Sequence, residues 1–292
     1  IQPKLTELSN DVALNPELFA RVKAVYDKRN TLGLDEVQMR LTEKTYNEFV
    51  RSGALLQGEA KERLKQLNGE LAMLTVEFNK NLLADQNAFS LHLEANQVAE
   101  LPEGVKAQAR EAAEAAGKSG YLFTLDKPSM LPFLTYSSNR ELRRELYNGY
   151  LMRGNNDNEY DNKEIAEKMA MLRIEKANLL GYDSYSAYVT ADQMAGTPEA
   201  AYDLLEEIFF PAVESAKLEL EEMNAMFQRD YPGEAFEKSD WWYYAEQVRQ
   251  KKYQLDEDEI RKYLRTVPAV QSAVDDHPDR GGSGITVVTF SL

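Results

Sequence analysis

The chain has 292 residues, of which 43% are hydrophobic, and it carries a formal net charge of −15 at pH 7. This content is enough for a sizeable core in one large or two smaller domains. A strongly acidic surface repels phosphate backbones, so nucleic acid is not expected as a partner. No apolar run approaches the roughly 20 residues of a membrane-spanning helix, so membrane association is not expected either.

The absence of cysteine excludes disulfides and thiolate metal sites. It is consistent with a reducing compartment, and we predict a cytoplasmic location. No stretch resembles a signal peptide, but the sequence begins at Ile1 rather than at Met. A removed leader, with a periplasmic or secreted location, therefore stays open as the alternative.

The first third of the chain predicts three helices. Asn15 has the side chain of an N-cap residue, and we expect its helix to end near Gly33. A second helix is predicted over 35–51. The third carries a heptad-like seam, which predicts that it pairs with the second helix in antiparallel fashion. The seam consists of Leu64, Leu67, Leu71, Leu74 and Phe78.

Short strands are predicted only where the apolar pattern alternates. Residues 88–93 and 121–125 read as two strands, and an alanine-rich helix over 105–116 lies between them. This strand–helix–strand patch is the one sheet expected in the first half. The fold class is therefore mainly α, a multi-helix protein with a minor short-strand patch.

The stretch 162–195 begins as a helix with an unusually wide apolar face, which indicates burial on more than one side. Gly181 follows the last apolar residue, where a left-handed C-cap requires glycine. Thr197 and Pro198 then begin a long helix as N-cap and first helical residue.

Four consecutive aromatic residues, Trp241 to Tyr244, begin a later helix. Four neighbours on a helix cannot all face one core. Either this helix is buried on several sides or some of the rings line a cleft, and burial is the favoured interpretation. The region 265–292 changes to turn and strand composition, with a β-branched run near its end.

Residue chemistry alone reveals no active site. The only histidines are His92 and His277, so no His-Glu-x-x-His zinc helix is present. His92 is interpreted as an ordinary strand residue. The acidic residues around His277 could bind a cation, although a solvated loop is favoured, and the glycine run 281–284 lacks the signature of a phosphate loop. We therefore assign no catalytic residue and no metal ligand.

Six separate strings nevertheless resemble one enzyme family. They are NPELF from Asn15, YNEFVRSGA from Tyr46, LTVEFNKNLL from Leu74, NRELRR from Asn139, LRIEKANLLGY from Leu172 and DWWYYAE from Asp240. In this order they resemble the M3 family of zinc metallopeptidases, the thimet oligopeptidase family. The similarity is greatest to its peptidyl-dipeptidase and oligopeptidase A branch, and it covers about residues 1–264.

The resemblance implies an almost wholly helical fold in which two lobes flank a deep channel that admits short peptides. It also implies zinc, held by a His-Glu-Phe-Gly-His helix and a downstream glutamate, and release of C-terminal dipeptides. No residue of this chain corresponds to a zinc ligand or to the catalytic glutamate. Trp242, Tyr243 and Tyr244 lie in a matching string and are the candidates for lining the substrate channel.

These considerations predict a domain organisation and two rival functions. We expect an N-terminal helical region over 1–160, the start of the peptidase lobe over 161–264 and a tail outside the family pattern over 265–292. The first hypothesis is a truncated piece of a zinc peptidase that is inactive alone, binds no zinc and self-associates through exposed apolar surface. The alternative is a stand-alone helical binding or scaffold protein derived from the peptidase.

Overall fold

A computed structural model describes residues 2–253, 257–275 and 286–290. Over these residues the chain forms twelve α-helices and four short strands, so the mainly α prediction is confirmed. The helices are α1 (Gln2–Ala13), α2 (Pro16–Lys28), α3 (Glu36–Arg51), α4 (Gly58–Ala88), α5 (Glu103–Ala115), α6 (Lys127–Tyr136), α7 (Arg140–Leu151), α8 (Lys163–Leu179), α9 (Tyr185–Thr190), α10 (Pro198–Asp230), α11 (Trp241–Tyr253) and α12 (Glu257–Thr266).

The strands form two separate antiparallel pairs. They are β1 (Leu91–Leu93), β2 (Tyr121–Phe123), β3 (Val270–Asp275) and β4 (Thr286–Phe290). β1 pairs with β2, and β3 pairs with β4. The predicted strand–helix–strand patch is therefore confirmed, and the strand character of the chain's final region is also observed. The acidic loop 276–279 and the glycine run 281–284 lie outside the described residues.

The chain divides into two compact units, and each is built from two stretches of sequence. The first unit comprises Ile1–Leu82 and Asp161–Ile208, and the second comprises Leu83–Tyr160 and Phe209–Leu292. The sequence analysis divided the chain by its resemblance to the family and not by compact units. That division, into 1–160, 161–264 and 265–292, stays a prediction. Among the described helices, none combines the length and apolar content needed to span a bilayer.

In the first unit, α2 and α3 pack through aromatic rings. Tyr46 stacks on Tyr26 with ring centroids 3.9 Å apart, and Phe19 stacks on Tyr46 at 5.8 Å. The predicted cap of α2 is confirmed, because the Asn15 side chain accepts hydrogen bonds from the backbone N–H groups of Glu17 and Leu18.

The leucine seam of α4 packs against α8, and not against α3 as the heptad pattern predicted. Leu67 and Leu74 form one core cluster with Leu172 of α8. The apolar residues at the start of α3, Val37 and Leu41, are instead 77% and 64% exposed. The prediction was wrong because a heptad seam indicates that a partner helix exists but does not identify it.

The second unit has the larger core, which lies between the β1–β2 pair and helices α5, α6 and α7. Phe123 and Phe133 meet at its centre with ring centroids 4.6 Å apart. Leu146 joins α7 to the same cluster. A separate aromatic cluster forms where the end of α10 meets α11, around Phe227 and Tyr244.

Gly149 tests the close packing of α7 in this core. A Cβ atom at Gly149 would lie 2.7 Å from Cε2 of the Phe89 ring. We expect Gly149→Ala to lower the free energy of unfolding, because the overpacking cost of about 1–3 kcal/mol exceeds the helix-propensity gain of about 1 kcal/mol. Urea unfolding followed by circular dichroism measures the change.

Gly69 of α4 provides the matched control. A Cβ atom there would meet nothing within 4 Å. Gly69→Ala should raise the free energy of unfolding by about 0.5–1 kcal/mol, since only the helix-propensity term applies. Equal effects at the two glycines would contradict the packing argument.

Candidate functional site

The aromatic segment at the start of α11 is positioned by the loop that precedes it. A short 3₁₀ turn, Lys238–Asp240, leads directly into Trp241. The backbone N–H of Glu237 donates to the Asp240 carboxylate at 3.0 Å, and the two residues form a reciprocal capping box. The beginning of the aromatic helix is therefore set by polar contacts.

The four rings of this segment point into different surroundings. Tyr244 is 1% exposed and meets Phe227 edge-on, with centroids 5.5 Å apart. Trp242 packs beside Tyr147 at 5.7 Å, against the larger core. Trp241 and Tyr243 pack at the edge of the smaller aromatic cluster. Burial, the favoured interpretation, holds for Tyr244, whereas the rings of Trp241, Trp242 and Tyr243 are only partly buried.

Burial and hydrogen bonding raise the pKa of the Tyr244 hydroxyl above its usual range. Burial disfavours the phenolate, and the hydroxyl also donates to Asp230 at 2.8 Å, whose negative charge opposes ionisation. Burial likewise raises the pKa of Tyr243, although the Arg143 guanidinium lies 4.4 Å above the Tyr243 ring and lowers that pKa in part.

A buried ion-pair network connects α7 to the turn before α11. Asp240 and Arg143 are both 0% exposed, and Arg143 donates to Asp240 at 2.8 Å. Arg140 donates to both Asp240 oxygens at 3.2 Å and to the Ala235 carbonyl at 2.7 Å. Several donors thus compensate one buried carboxylate, as a charge removed from water requires.

The sequence analysis did not predict this network. The string NRELRR contributed only to the family resemblance. A usable signal was present, because Arg140 and Arg143 lie three residues apart and therefore share a helix face. Their partner, Asp240, is too distant in sequence for periodicity to identify.

A groove of about 580 Å³ lies between the end of α10 and the loop before α11. Its apolar lining includes Leu220, Phe236 and Trp241, and its charged lining includes Glu221, Glu234, Glu237 and Lys238. Trp241 lines this groove, whereas the predicted channel residues Trp242, Tyr243 and Tyr244 are absent from its lining.

The loop wall of the groove is held to α10 by Gln228. Its side-chain amide accepts from the Gly233 backbone N–H at 2.9 Å and donates to the Glu234 carbonyl at 2.8 Å. Gly233 adopts a φ of 82°, which favours glycine over any other residue. These bonds give the groove a defined wall.

The described residues do not fit a zinc site. His92 is exposed on β1, and its Nε2 contacts the Ser119 carbonyl. His277 lies outside the described residues. Within the part of the chain that the structure describes, no group of three or more histidine, aspartate or glutamate side chains could hold a metal ion.

Comparison with known proteins shows similarity to one peptidase family. Residues 133–274 match the model of Peptidase family M3. The resemblance predicted from the sequence strings is therefore confirmed, and this part of the chain is similar to M3 peptidases. The match contains α7, the long helix α10 and the aromatic helix α11, which together build the ion-pair network and the groove. It ends at residue 274, within β3, beyond Leu264, where the sequence strings predicted that the resemblance stops.

Several curated relatives are similar over most of this chain. Dipeptidyl carboxypeptidase of Escherichia coli is 38% identical over 89% of the chain and 39% of its own length. The Salmonella typhimurium protein of the same name is 36% identical over 93% of the chain and 40% of its own length. Oligopeptidase A of Haemophilus influenzae is 30% identical over 90% of the chain and 39% of its own length. The chain thus spans about two fifths of the length of these relatives.

Removing the Asp240 charge should destabilise the second unit. Asp240→Asn leaves Arg140 and Arg143 without their buried counter-charge, and we expect a loss of roughly 3–5 kcal/mol in the free energy of unfolding. Urea unfolding followed by tryptophan fluorescence measures it, because both tryptophans lie beside Asp240. Glu141→Gln is the control: its side chain is 76% exposed in its pair with Arg144. A comparable loss in the control variant would contradict this account.

Tyr244→Phe should change the alkaline pH dependence of stability. At neutral pH the variant loses one buried hydrogen bond, which costs about 1 kcal/mol. The pKa of Tyr244 is higher in the folded chain than its ordinary value of 10.0. The protonated hydroxyl therefore stabilises the fold fully below pH 10.0, and this stabilisation is lost as the pH rises further. Unfolding free energies measured across pH 7 to about 11 should therefore fall more steeply in the original chain. Parallel curves would show that Tyr244 ionises normally.

Proposed function

We propose that this sequence belongs to a longer M3 peptidase. That whole protein hydrolyses short peptides and releases C-terminal dipeptides. In that protein, residues 1–292 build part of the helical wall beside the peptide. The similarity to enzymes named dipeptidyl carboxypeptidase and oligopeptidase A supports this proposal. The single structural observation that carries it is the aromatic helix α11 within the M3-matched region, whose Trp242 and Tyr243 rings stay partly accessible.

The 292-residue chain by itself does not perform the hydrolysis in this proposal. The family chemistry requires a zinc ion that activates water, and the sequence contains only two histidines and no His-Glu-x-x-His segment. The described donor set does not fit zinc either. No catalytic step is therefore assigned to any residue here.

Among the predicted channel residues, we assign the peptide-facing part to Trp242 and Tyr243. Both keep partly accessible rings, whereas Tyr244 is almost completely buried and donates its hydroxyl to Asp230. Tyr244 therefore acts as the anchor of α11 in the aromatic cluster. We place the whole protein in the cytoplasm, since the absence of cysteine is consistent with a reducing compartment.

The exposed first part of α10 favours a role within a larger assembly over the stand-alone scaffold. Leu205, Phe209 and Phe210 are each about 60% exposed, and Leu218 is 68% exposed. Large apolar side chains clustered on one helix indicate a surface that normally contacts another surface. In the isolated chain the same surface should cause self-association.

The decisive experiment measures zinc binding and peptide hydrolysis by the purified chain. We expect no bound zinc at equimolar metal after dialysis, and no cleavage of a blocked-N-terminus peptide with a free C-terminal dipeptide. An M3 dipeptidyl carboxypeptidase of full length serves as the positive control. Zinc-dependent cleavage that a chelator abolishes would overturn the assignment of the chain as non-catalytic.

The same preparation separates the two rival functions. Size-exclusion chromatography should show concentration-dependent self-association, and an apolar dye should bind. Replacing Phe209 and Phe210 by serine should reduce both signals, because these rings are solvent-exposed rather than part of a core. A stable monomer that binds no dye would support the stand-alone scaffold instead.

A further inference from the structure

Lys176 of α8 is a half-buried lysine in the first unit whose hydrogen-bond partner is neutral. Its Nζ donates to Oδ1 of Asn68 on α4 at 2.8 Å, and it lies 5.9 Å from the ring centroid of Tyr188. Asn68 is held in this orientation because its own amide nitrogen donates to Asn10 at 2.8 Å. Within the part of the chain that the structure describes, no carboxylate forms a salt bridge with Lys176.

The other two lysines of α8 have carboxylates beside them. Lys163 lies 2.9 Å from Asp161, and Lys168 lies 4.0 Å from Glu70. Their side chains are 52% and 58% exposed. The same helix thus carries one half-buried lysine without a counter-charge and two solvated ones, and these serve as internal references.

The charges around Lys176 are engaged elsewhere. Glu175 is held by Arg63 of α4 at 2.6 Å. Arg51 of α3 lies 4.9 Å from the centroid of the same tyrosine ring, and Asp192 is 4.0 Å from its guanidinium. Burial therefore lowers the pKa of the Lys176 amine below its usual range, because no counter-ion replaces the lost hydration. Near neutral pH more of this lysine is the neutral amine, which is the nucleophilic form.

The hydrogen bond to Asn68 also directs the amine. One N–H of the neutral form points at Oδ1, so the lone pair points away from it and stays available. An acylated Nζ retains one hydrogen, which can keep the bond to Asn68. Acylation also removes a half-buried charge, and with it the desolvation cost that the ammonium form bears.

We propose that Lys176 is a modification site that is acylated by small acyl phosphates. The Nζ lone pair attacks the carbonyl carbon and a C–N bond forms. The C–O bond to phosphate breaks, phosphate leaves with that electron pair, and the nitrogen releases its proton to solvent. The half-buried position favours small acyl groups, and the nearby Arg51 guanidinium favours an anionic donor. The site requires no zinc and is independent of the proposed hydrolysis.

Competitive labelling of the original chain tests the proposal. The folded chain is treated with limiting acetyl phosphate near neutral pH, and mass spectrometry measures the rate at each lysine. Each rate is divided by the rate of the same lysine in the chain unfolded in guanidinium chloride. This ratio should be severalfold higher for Lys176 than for Lys168. A ratio for Lys176 that is equal to or below that for Lys168 would show a merely shielded lysine and would overturn the proposal.

The pH dependence gives a second readout. The preference for Lys176 should shrink as the pH rises, because Lys168 then also loses its proton and is the more exposed of the two. A preference that stays constant with pH would mean that protonation does not govern the reaction, which would contradict the proposal.

Two variants of α4 test the neutral partner. Asn68→Asp places a carboxylate at the atom that accepts from Nζ, which should raise the pKa of Lys176 and slow its acylation severalfold. Asn79→Asp adds the same charge at an exposed position of α4 and should leave Lys176 unchanged. Equal rates at Lys176 in the two variants would overturn the proposal. The comparison of lysines in the original chain keeps the test valid if Asn68→Asp does not fold.

Discussion

The second unit depends on one buried ion pair, between Arg143 and Asp240. Both side chains are 0% exposed, so both charges have lost their hydration. Good geometry and further hydrogen bonds offset the cost of burying such a pair. Arg143 also donates to the Ser137 carbonyl at 2.8 Å, and Arg140 supplies Asp240 with additional bonds. The network thus requires α7 and the turn before α11 to meet in one particular arrangement.

That arrangement determines where the aromatic residues lie. Asp240 immediately precedes Trp241, so a fixed Asp240 fixes the start of α11 and the direction of each successive ring. Tyr244 then enters the aromatic cluster around Phe227, while Trp242 reaches Tyr147 of the other core. Trp241 remains to line the groove. A polar contact within the protein therefore positions the apolar surface on which ligand recognition is proposed to depend.

The two parts of α10 differ in how far their apolar side chains are covered. The last part of this helix is covered, with Met223 and Phe227 buried in the aromatic cluster. Its first part exposes large apolar residues that have no cover in the described chain, such as Phe209 and Phe210. The chain spans about two fifths of the length of the relatives it matches.

The sequence by itself determined the elements and the family. Periodicity and capping residues predicted the helices, because amphipathic spacing and N-caps such as Asn15 act within a few residues. The alternating pattern around Leu91 and Tyr121 likewise predicted the strand pair, and short ordered strings predicted a resemblance to M3 peptidases over about residues 1–264, of which the family model matches 133–274.

Tertiary structure decided which elements meet. The seam of α4 packs on α8 rather than on α3, since an apolar stripe does not specify its partner. The pairing of Arg143 with Asp240 spans 97 residues, far beyond the reach of local patterns. The groove has the same origin, because its lining comes from α10 and from the loop before α11, which only long-range packing brings together.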